Sequence, residues 1–213
     1  MMRQETKAIF GWRRAVIPEA GGFPTRSAIQ IPVSEVKEVK IKTTVSASLT
    51  AIFAALYAVG VVALAPISFL TLQLRVADAL LPLAILFGWP AIAGLSIGAV
   101  VANFFGGLGA VDMVGGGAAN FLAAYAAWKI GQRRIKGSWA IGVAVQIVVV
   151  TAIVGTYLSY LLEIPLELSL ICVLLGSFIA IGILGHALLI ALSRPRVANQ
   201  LRTYGLISHQ KDA

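Results

Sequence analysis

Residues 76–105 read VADALLPLAILFGWPAIAGLSIGAVVANFF, with a single charge, Asp78, and a break at Gly88-Trp89-Pro90. A helix needs about 20 apolar residues to cross the hydrocarbon core of a bilayer. The stretch is therefore one long span or a hairpin of two short ones, and the choice sets the direction of every later span. Charge decides, because cytoplasmic loops collect Lys and Arg. Read as a hairpin, the chain has six spans with both termini on one side. That side then holds eight basic residues from Met1 to Lys42, four from Lys129 to Lys136 and four from the C-terminal tail, leaving only Arg75 outside. Read as one span, the last two groups fall opposite the first. The hairpin is the better reading.

The remaining spans follow from apolar runs at Thr44–Leu64, Met113–Ile130, Ser138–Leu162 and Leu168–Leu192. The expected fold is an all-α integral membrane protein of six transmembrane helices, with N and C termini cytoplasmic. Residues 1–42 form a cytoplasmic N-terminal tail, 43–193 the six-helix membrane domain and 194–213 a basic cytoplasmic C-terminal tail. The expected location is the plasma membrane. The first tail lacks the apolar core and cleavage site of a signal peptide and reads as retained. Within it, Ser34–Lys40 alternates charges and starts a helix that runs into the first span. Trp89, Trp128 and Trp139 fall at the inner interface, and Tyr157 and Tyr160 at the outer one, as aromatic belts do.

Composition agrees. The chain is 59% hydrophobic and 12% charged, with mean hydropathy +0.89, against roughly 45–50% and about 25% in soluble domains. The net charge of +8 is explained by topology, so no nucleic-acid partner is expected. A single cysteine, Cys172, excludes an internal disulfide and a multi-cysteine metal site. No metal and no cofactor are expected.

Polar residues at membrane depth need a reason, because they are costly and usually face an interior or cavity. Arg75 and Asp78 precede the second span at i, i+3 spacing. Asn103 ends the third, Asp112 begins the fourth, and Asn120 lies two turns along it. All fall toward the outer side and read as a binding pocket open outward. The bland alternative is an Arg75–Asp78 ion pair tying a loop, with Asp112 capping a helix. Glu163 and Glu167 read as a solvated outer loop.

Small residues form a second pattern. Ala47, Ala51 and Ala55 recur every four residues on the first span, and Ala54 pairs with Ala58. Such spacing lets helices approach closely, within the bundle or against another membrane protein. Gly94 and Gly98 on the third span read as internal. Gly106-Gly107-Leu108-Gly109 reads as the turn between spans three and four, and Gly115-Gly116-Gly117 removes side chains where a ligand or neighbour comes close. Gly94-Leu95-Ser96-Ile97-Gly98 matches a serine-hydrolase pattern with His186 of span six as its conceivable base, but that motif needs a strand-to-helix turn and here sits in an apolar helix, so His186 reads instead as a packed or hydrogen-bonded residue. No phosphate-binding loop of the G-x-x-x-x-G-K-[ST] type is present, so transport driven by ATP would need other chains to hydrolyse it. A stand-alone secondary transporter is a further alternative, although no inverted repeat is visible.

Three of these segments resemble the QueT family: Leu72-Gln73-Leu74-Arg75-Val76-Ala77-Asp78-Ala79-Leu80, its Q-F-R-V-S-E-A-L segment; Ile97-Gly98-Ala99-Val100-Val101-Ala102-Asn103, its I-G-x-x-I-A-N; and Gly109-Ala110-Val111-Asp112-Met113-Val114-Gly115-Gly116, its G-x-x-D-I-x-x-G. The resemblance covers about Ala47 to Lys129. Asp78 stands where the family carries Glu, and the N-terminal tail is longer than the family's. The resemblance implies a substrate-binding S component of an energy-coupling factor (ECF) transporter, working with a transmembrane coupling subunit and two ATPase subunits. Its implied ligand is a 7-deazaguanine precursor of queuosine; a flavin or biotin is the alternative for the same fold. It implies partner docking through Ala47, Ala51, Ala55, Ala54 and Ala58.

A 7-deazaguanine presents a ring N–H and an amine on one edge, and a carboxylate accepts both at once. The expected binding residues are Gln73, Arg75, Asp78, Asn103, Asp112 and Asn120. Asp112 is the first choice for that edge and Asp78 the second. Asn103 suits the carbonyl or pyrrole N–H, Arg75 a carboxylate or carbonyl, and Gln73 a further contact. Phe69, Phe104 and Phe105 are the candidates for stacking on the ring.

Overall fold

The computed structural model describes residues 33–68, 75–133, 135–203 and 206, without the side chains of residues 33–42, 67 and 202. Gln73 and Phe69 lie outside the described residues, as do Met1–Pro32 of the N-terminal tail. All regular structure among the described residues is helical. The order is α1 (Val33–Ala63), α2 (Ala65–Ser68), a 3-10 segment (Val76–Leu83), α3 (Ala84–Phe87), α4 (Trp89–Gly106), α5 (Ala110–Gly131), α6 (Ser138–Leu162), α7 (Leu166–Ser177), a π-helical segment (Phe178–Gly185), α8 (His186–Ser193) and α9 (Pro195–Thr203).

Among the described residues, four helical runs are long and apolar enough to cross a membrane: Thr43–Ala63, Trp89–Gly106, Ser138–Leu162 and Leu166–Ser193. Helix α5 has 22 residues, which is sufficient length, but Gly, Ala, Asp112, Asn120 and Lys129 lower its hydropathy. Val76–Phe87 is apolar and too short. The first helix begins at Val33, so the charged stretch Ser34–Lys40 continues into the first span. The α6 boundaries, Ser138 and Leu162, coincide with those read from hydropathy.

Glycine sets the ends. Gly88 turns the chain between α3 and α4 at φ +63°, and Gly107 closes α4 at φ +75°; a side chain at such angles is strained. Pro90 enters α4 in its first turn, where its missing N–H removes no intrahelical bond.

Small residues also set the packing. The helices neighbour one another in the order α1, α4, α5, α6, α7. A Cβ on Gly94 would lie 2.5 Å from the Thr50 carbonyl oxygen, and one on Gly98 would lie 2.7 Å from that of Ala54, so α1 and α4 meet backbone to backbone. Gly94 and Gly98 are thus internal. Gly155 similarly faces Leu170 of α7, and Ser169 donates to its carbonyl at 2.7 Å.

The 3-10 segment occupies the middle of the bundle and touches α1, α4, α5, α6, the π segment and α8. Pro82, inside it, supplies no N–H and disrupts regular helix bonding. Gln146 of α6 donates to the Leu81 carbonyl at 3.0 Å, giving this irregular backbone a partner from outside. Gly185 of the π segment meets the same stretch so closely that a Cβ would be 2.8 Å from Pro82 Cγ.

At the end holding the Gly88 turn, Trp89, Tyr125 and Trp128 cluster at centroid distances of 5.8–5.9 Å. The Lys129 ammonium lies 5.0 Å from the Trp128 ring.

Candidate ligand-binding site

The opposite end, where the α4–α5 and α6–α7 turns lie, gathers the charged side chains that are buried among the described residues. Arg75 caps the 3-10 segment and Asp78 lies in its first turn. Asn103 belongs to the last turn of α4, and Asp112 to the first turn of α5. Asn103 and Asp112 are fully enclosed, and Arg75 and Asp78 are each 5% exposed.

Asp112 is the centre. Its position in the first turn of a 22-residue helix sets the carboxylate at the positive end of the helix dipole. Arg75 Nη2 is 3.6 Å from its Oδ1, and Tyr157 of α6 donates to the same oxygen at 2.9 Å. Asn103 Nδ2 donates to the Asp112 backbone carbonyl at 2.7 Å. Gly116, one turn along α5, makes room for this: a Cβ there would collide with Asn103 Nδ2. A Cβ on Gly115 would lie 2.9 Å from the Tyr157 ring.

Asp78 belongs to an adjoining arrangement. Tyr57 of α1, wholly buried, donates to its Oδ1 at 2.5 Å. The i, i+3 pair Arg75 and Asp78 therefore does not form the ion pair that its spacing allows; Arg75 pairs with Asp112. Asn120, deeper on α5, donates to the Leu95 carbonyl at 3.3 Å.

Several buried atoms here make no hydrogen bond. Arg75 Nε and Nη2, Asn103 Oδ1 and Asp112 Oδ2 are buried and make no hydrogen bond. An unmet buried polar atom costs about 1–3 kcal/mol, more if charged. Four at one cluster present two donors and two acceptors to whatever enters it.

A model of the QueT transporter family matches residues 47–194. This chain belongs to the QueT transporter family. The match extends well beyond the three motifs, through α6 and into the last basic stretch. Comparison with curated proteins and with solved structures returns no match.

Of the residues expected to bind a ligand in this QueT-family chain, Arg75, Asp78, Asn103 and Asp112 converge at one end. Asn120 sits below them on α5. Tyr57 was not singled out in the sequence and Tyr157 was read only as an outer-belt residue, because tyrosine is ordinary at a membrane interface. Tyr157 leaves the outer belt and turns inward to Asp112; Tyr160 is exposed, as a belt residue would be. Phe104 and Phe105 do not stack into the site: they are 63% and 66% exposed on the outside of the bundle.

Ser96 donates to the Ile92 carbonyl at 2.7 Å within α4, which is ordinary helix back-bonding and no nucleophile elbow. His186 lies elsewhere, beside Gly137, Ser138 and Trp139 on an open hollow of about 390 Å³.

On α1, Ala47, Ala51 and Ala55 are exposed, whereas Ala54 and Ala58 are half-buried. Ala54 packs against Gly98. The two small-residue rows therefore face different surroundings.

Proposed function

We propose that this chain is the membrane substrate-binding subunit of an ECF-type importer and captures a 7-deazaguanine precursor of queuosine at the outer face. The carrying observation is the buried set of atoms that make no hydrogen bond: Asp112 Oδ2 and Asn103 Oδ1 as acceptors, and Arg75 Nε and Nη2 as donors. The amidine edge of a 7-deazaguanine brings two donors to a carboxylate, and its carbonyl oxygen suits a guanidinium. Gln73, next to Arg75 in sequence, is proposed to join them, and Asn120 to close the floor.

In this reading the chain crosses the plasma membrane six times, with Val76–Phe87 and α5 as the second and fourth spans. Both termini face the cytoplasm, which puts Lys129, Arg133, Lys136, Arg194 and Arg196 inside in accord with the positive-inside rule. ATP hydrolysis is assigned to two ATPase subunits. A transmembrane coupling subunit would dock on the exposed Ala47, Ala51 and Ala55, whose small side chains permit close helix contact.

The test is equilibrium binding to the purified chain with 7-cyano- and 7-aminomethyl-7-deazaguanine, guanine, riboflavin and biotin. Binding of a deazaguanine, lost in Asp112→Ala, supports the reading. Binding of riboflavin or biotin instead replaces the ligand, and no binding of any compound removes the proposal.

A further inference from the structure

We propose that the hollow between the start of α6 and α8 binds one anionic phospholipid, drawn from the leaflet at the basic end of the bundle. The hollow lies where α6 begins, a full helix length from the α6–α7 turn. It is therefore separate from the cluster around Asp112, and its occupant does not depend on the solute bound there.

The hollow measures about 390 Å³ and is lined by Gly137, Ser138, Trp139, Ala140, His186 and Ile190. That is near the lower end of the roughly 300–1,000 Å³ of small-molecule sites, room for a headgroup but not for two acyl chains. The chains have a path along the outside of the bundle. Ile141 follows the hollow on α6, Ile183 and Leu184 precede His186, and all three are exposed. A lipid covers such surface, and a water-soluble anion makes no use of it.

His186 supplies the polar observation. It is half-buried, it lines the hollow, and its Nδ1 is buried without a hydrogen bond. A neutral imidazole carries one donor and one acceptor, so a polar partner for this ring has to come from the hollow. Gly137 stands at the N-cap of α6 and brings no capping side chain, which leaves first-turn N–H groups for the same occupant. Nothing lies within 4 Å of where a Cβ on Gly137 would be, so the approach is open.

Charge selects the headgroup. Lys136 immediately precedes Gly137, and Arg194 follows Ile190 by about one helical turn; both are exposed. The acidic side chains described, Asp78, Asp112, Glu163 and Glu167, all belong to the other end. Cations and N–H donors thus border the hollow, and the phosphate and ester oxygens of a phospholipid accept from them. A choline headgroup would add a cation beside two others; an anionic lipid brings none.

The experiment is native mass spectrometry of the full-length chain in detergent with phosphatidylglycerol or phosphatidylcholine of the same acyl chains, and with inorganic phosphate as competitor. The unaltered chain is expected to hold one phosphatidylglycerol at least about tenfold more tightly than phosphatidylcholine. Lys136→Gln combined with Arg194→Gln is expected to erase that preference. Ala140→Trp, which fills the hollow and keeps the charge, is expected to abolish tight retention of phosphatidylglycerol. Lys129→Gln combined with Arg133→Gln removes the same charge from side chains that do not line the hollow, and is expected to keep the preference. Thermal melting establishes that each variant is folded. Equal retention of the two lipids by the unaltered chain, a preference that survives Ala140→Trp, or equal loss in the two double variants overturns the inference. Displacement of the lipid by inorganic phosphate overturns it too, by making the occupant a soluble anion.

Discussion

Tyr157 reaches Asp112 across 45 positions of sequence and donates to its Oδ1 at 2.9 Å. The phenol fixes the carboxylate from the α6 side while Arg75 holds it from the 3-10 segment, leaving Oδ2 unpartnered. Tyr157→Phe keeps the ring that packs on Gly115 and removes the donor. A hydrogen bond to a charged group is worth about 1.5–3 kcal/mol, so deazaguanine affinity is expected to fall by about tenfold. A binding titration checks this; unchanged affinity would show that Arg75 and the helix end suffice to orient Asp112.

Gly116→Ala tests the approach of α4 to α5. The new methyl meets Asn103 Nδ2, so Asn103 must leave the Asp112 carbonyl. Overpacking of this kind costs about 1–3 kcal/mol, and ligand affinity is expected to fall with it. Gly107→Ala is the contrast: nothing lies within 4 Å of a Cβ there, so its expected cost is the strain of φ +75°, about 1–2 kcal/mol. Thermal melting in detergent, paired with ligand titration, separates the two effects.

Gly185→Ala probes the seat of the 3-10 segment. Its methyl would sit 2.8 Å from Pro82 Cγ and 2.9 Å from the Ala79 carbonyl oxygen. Neither a proline ring nor a backbone oxygen yields readily, so a loss of about 1–3 kcal/mol is expected. The check is the melting temperature; a change within error would show that the π segment can slide away from Pro82.

Ala51→Leu combined with Ala55→Leu enlarges an exposed row on α1. Ligand affinity of the isolated chain is expected to stay within about twofold, since exposed substitutions usually change stability by about 0.5 kcal/mol or less. Co-purification with a coupling subunit is expected to be lost. Retained assembly would move the docking face elsewhere. Gly98→Leu, by contrast, drives α4 away from Ala54 and is expected to destabilise the chain itself.

Hydropathy made much of the helical layout legible, because apolar runs and their Gly and Pro interruptions are local signals. The α6 ends and the break at Gly88 were readable for that reason. Arg75, Asp78, Asn103 and Asp112 stood out because each interrupts an apolar background. Tyr57 and Gln146 did not: their roles depend on a carboxylate and a carbonyl contributed by distant segments. The 3-10 and π segments were invisible for a related reason. Their irregular bonding accompanies the contact between Pro82 and Gly185, which no local window contains. Phe104 and Phe105 misled because nearness in sequence to Asn103 says nothing about which side of a helix a ring occupies.

The twelve residues Val76–Phe87 have a consequence for biosynthesis. Eight residues in 3-10 form and four in α form extend about 22 Å, short of the roughly 30 Å of a hydrocarbon core. With Pro82 inside, such a piece gives the insertion machinery a weak signal while it is being made. In the six-crossing topology it must enter together with α4, as a pair turned at Gly88, and its full enclosure waits for α6 and the Phe178–Gly185 stretch to be synthesised. The seat of the 3-10 segment is therefore completed last, and truncation before Gly185 is expected to leave a chain without the packing of Gly185 on Pro82 and the Ala79 carbonyl.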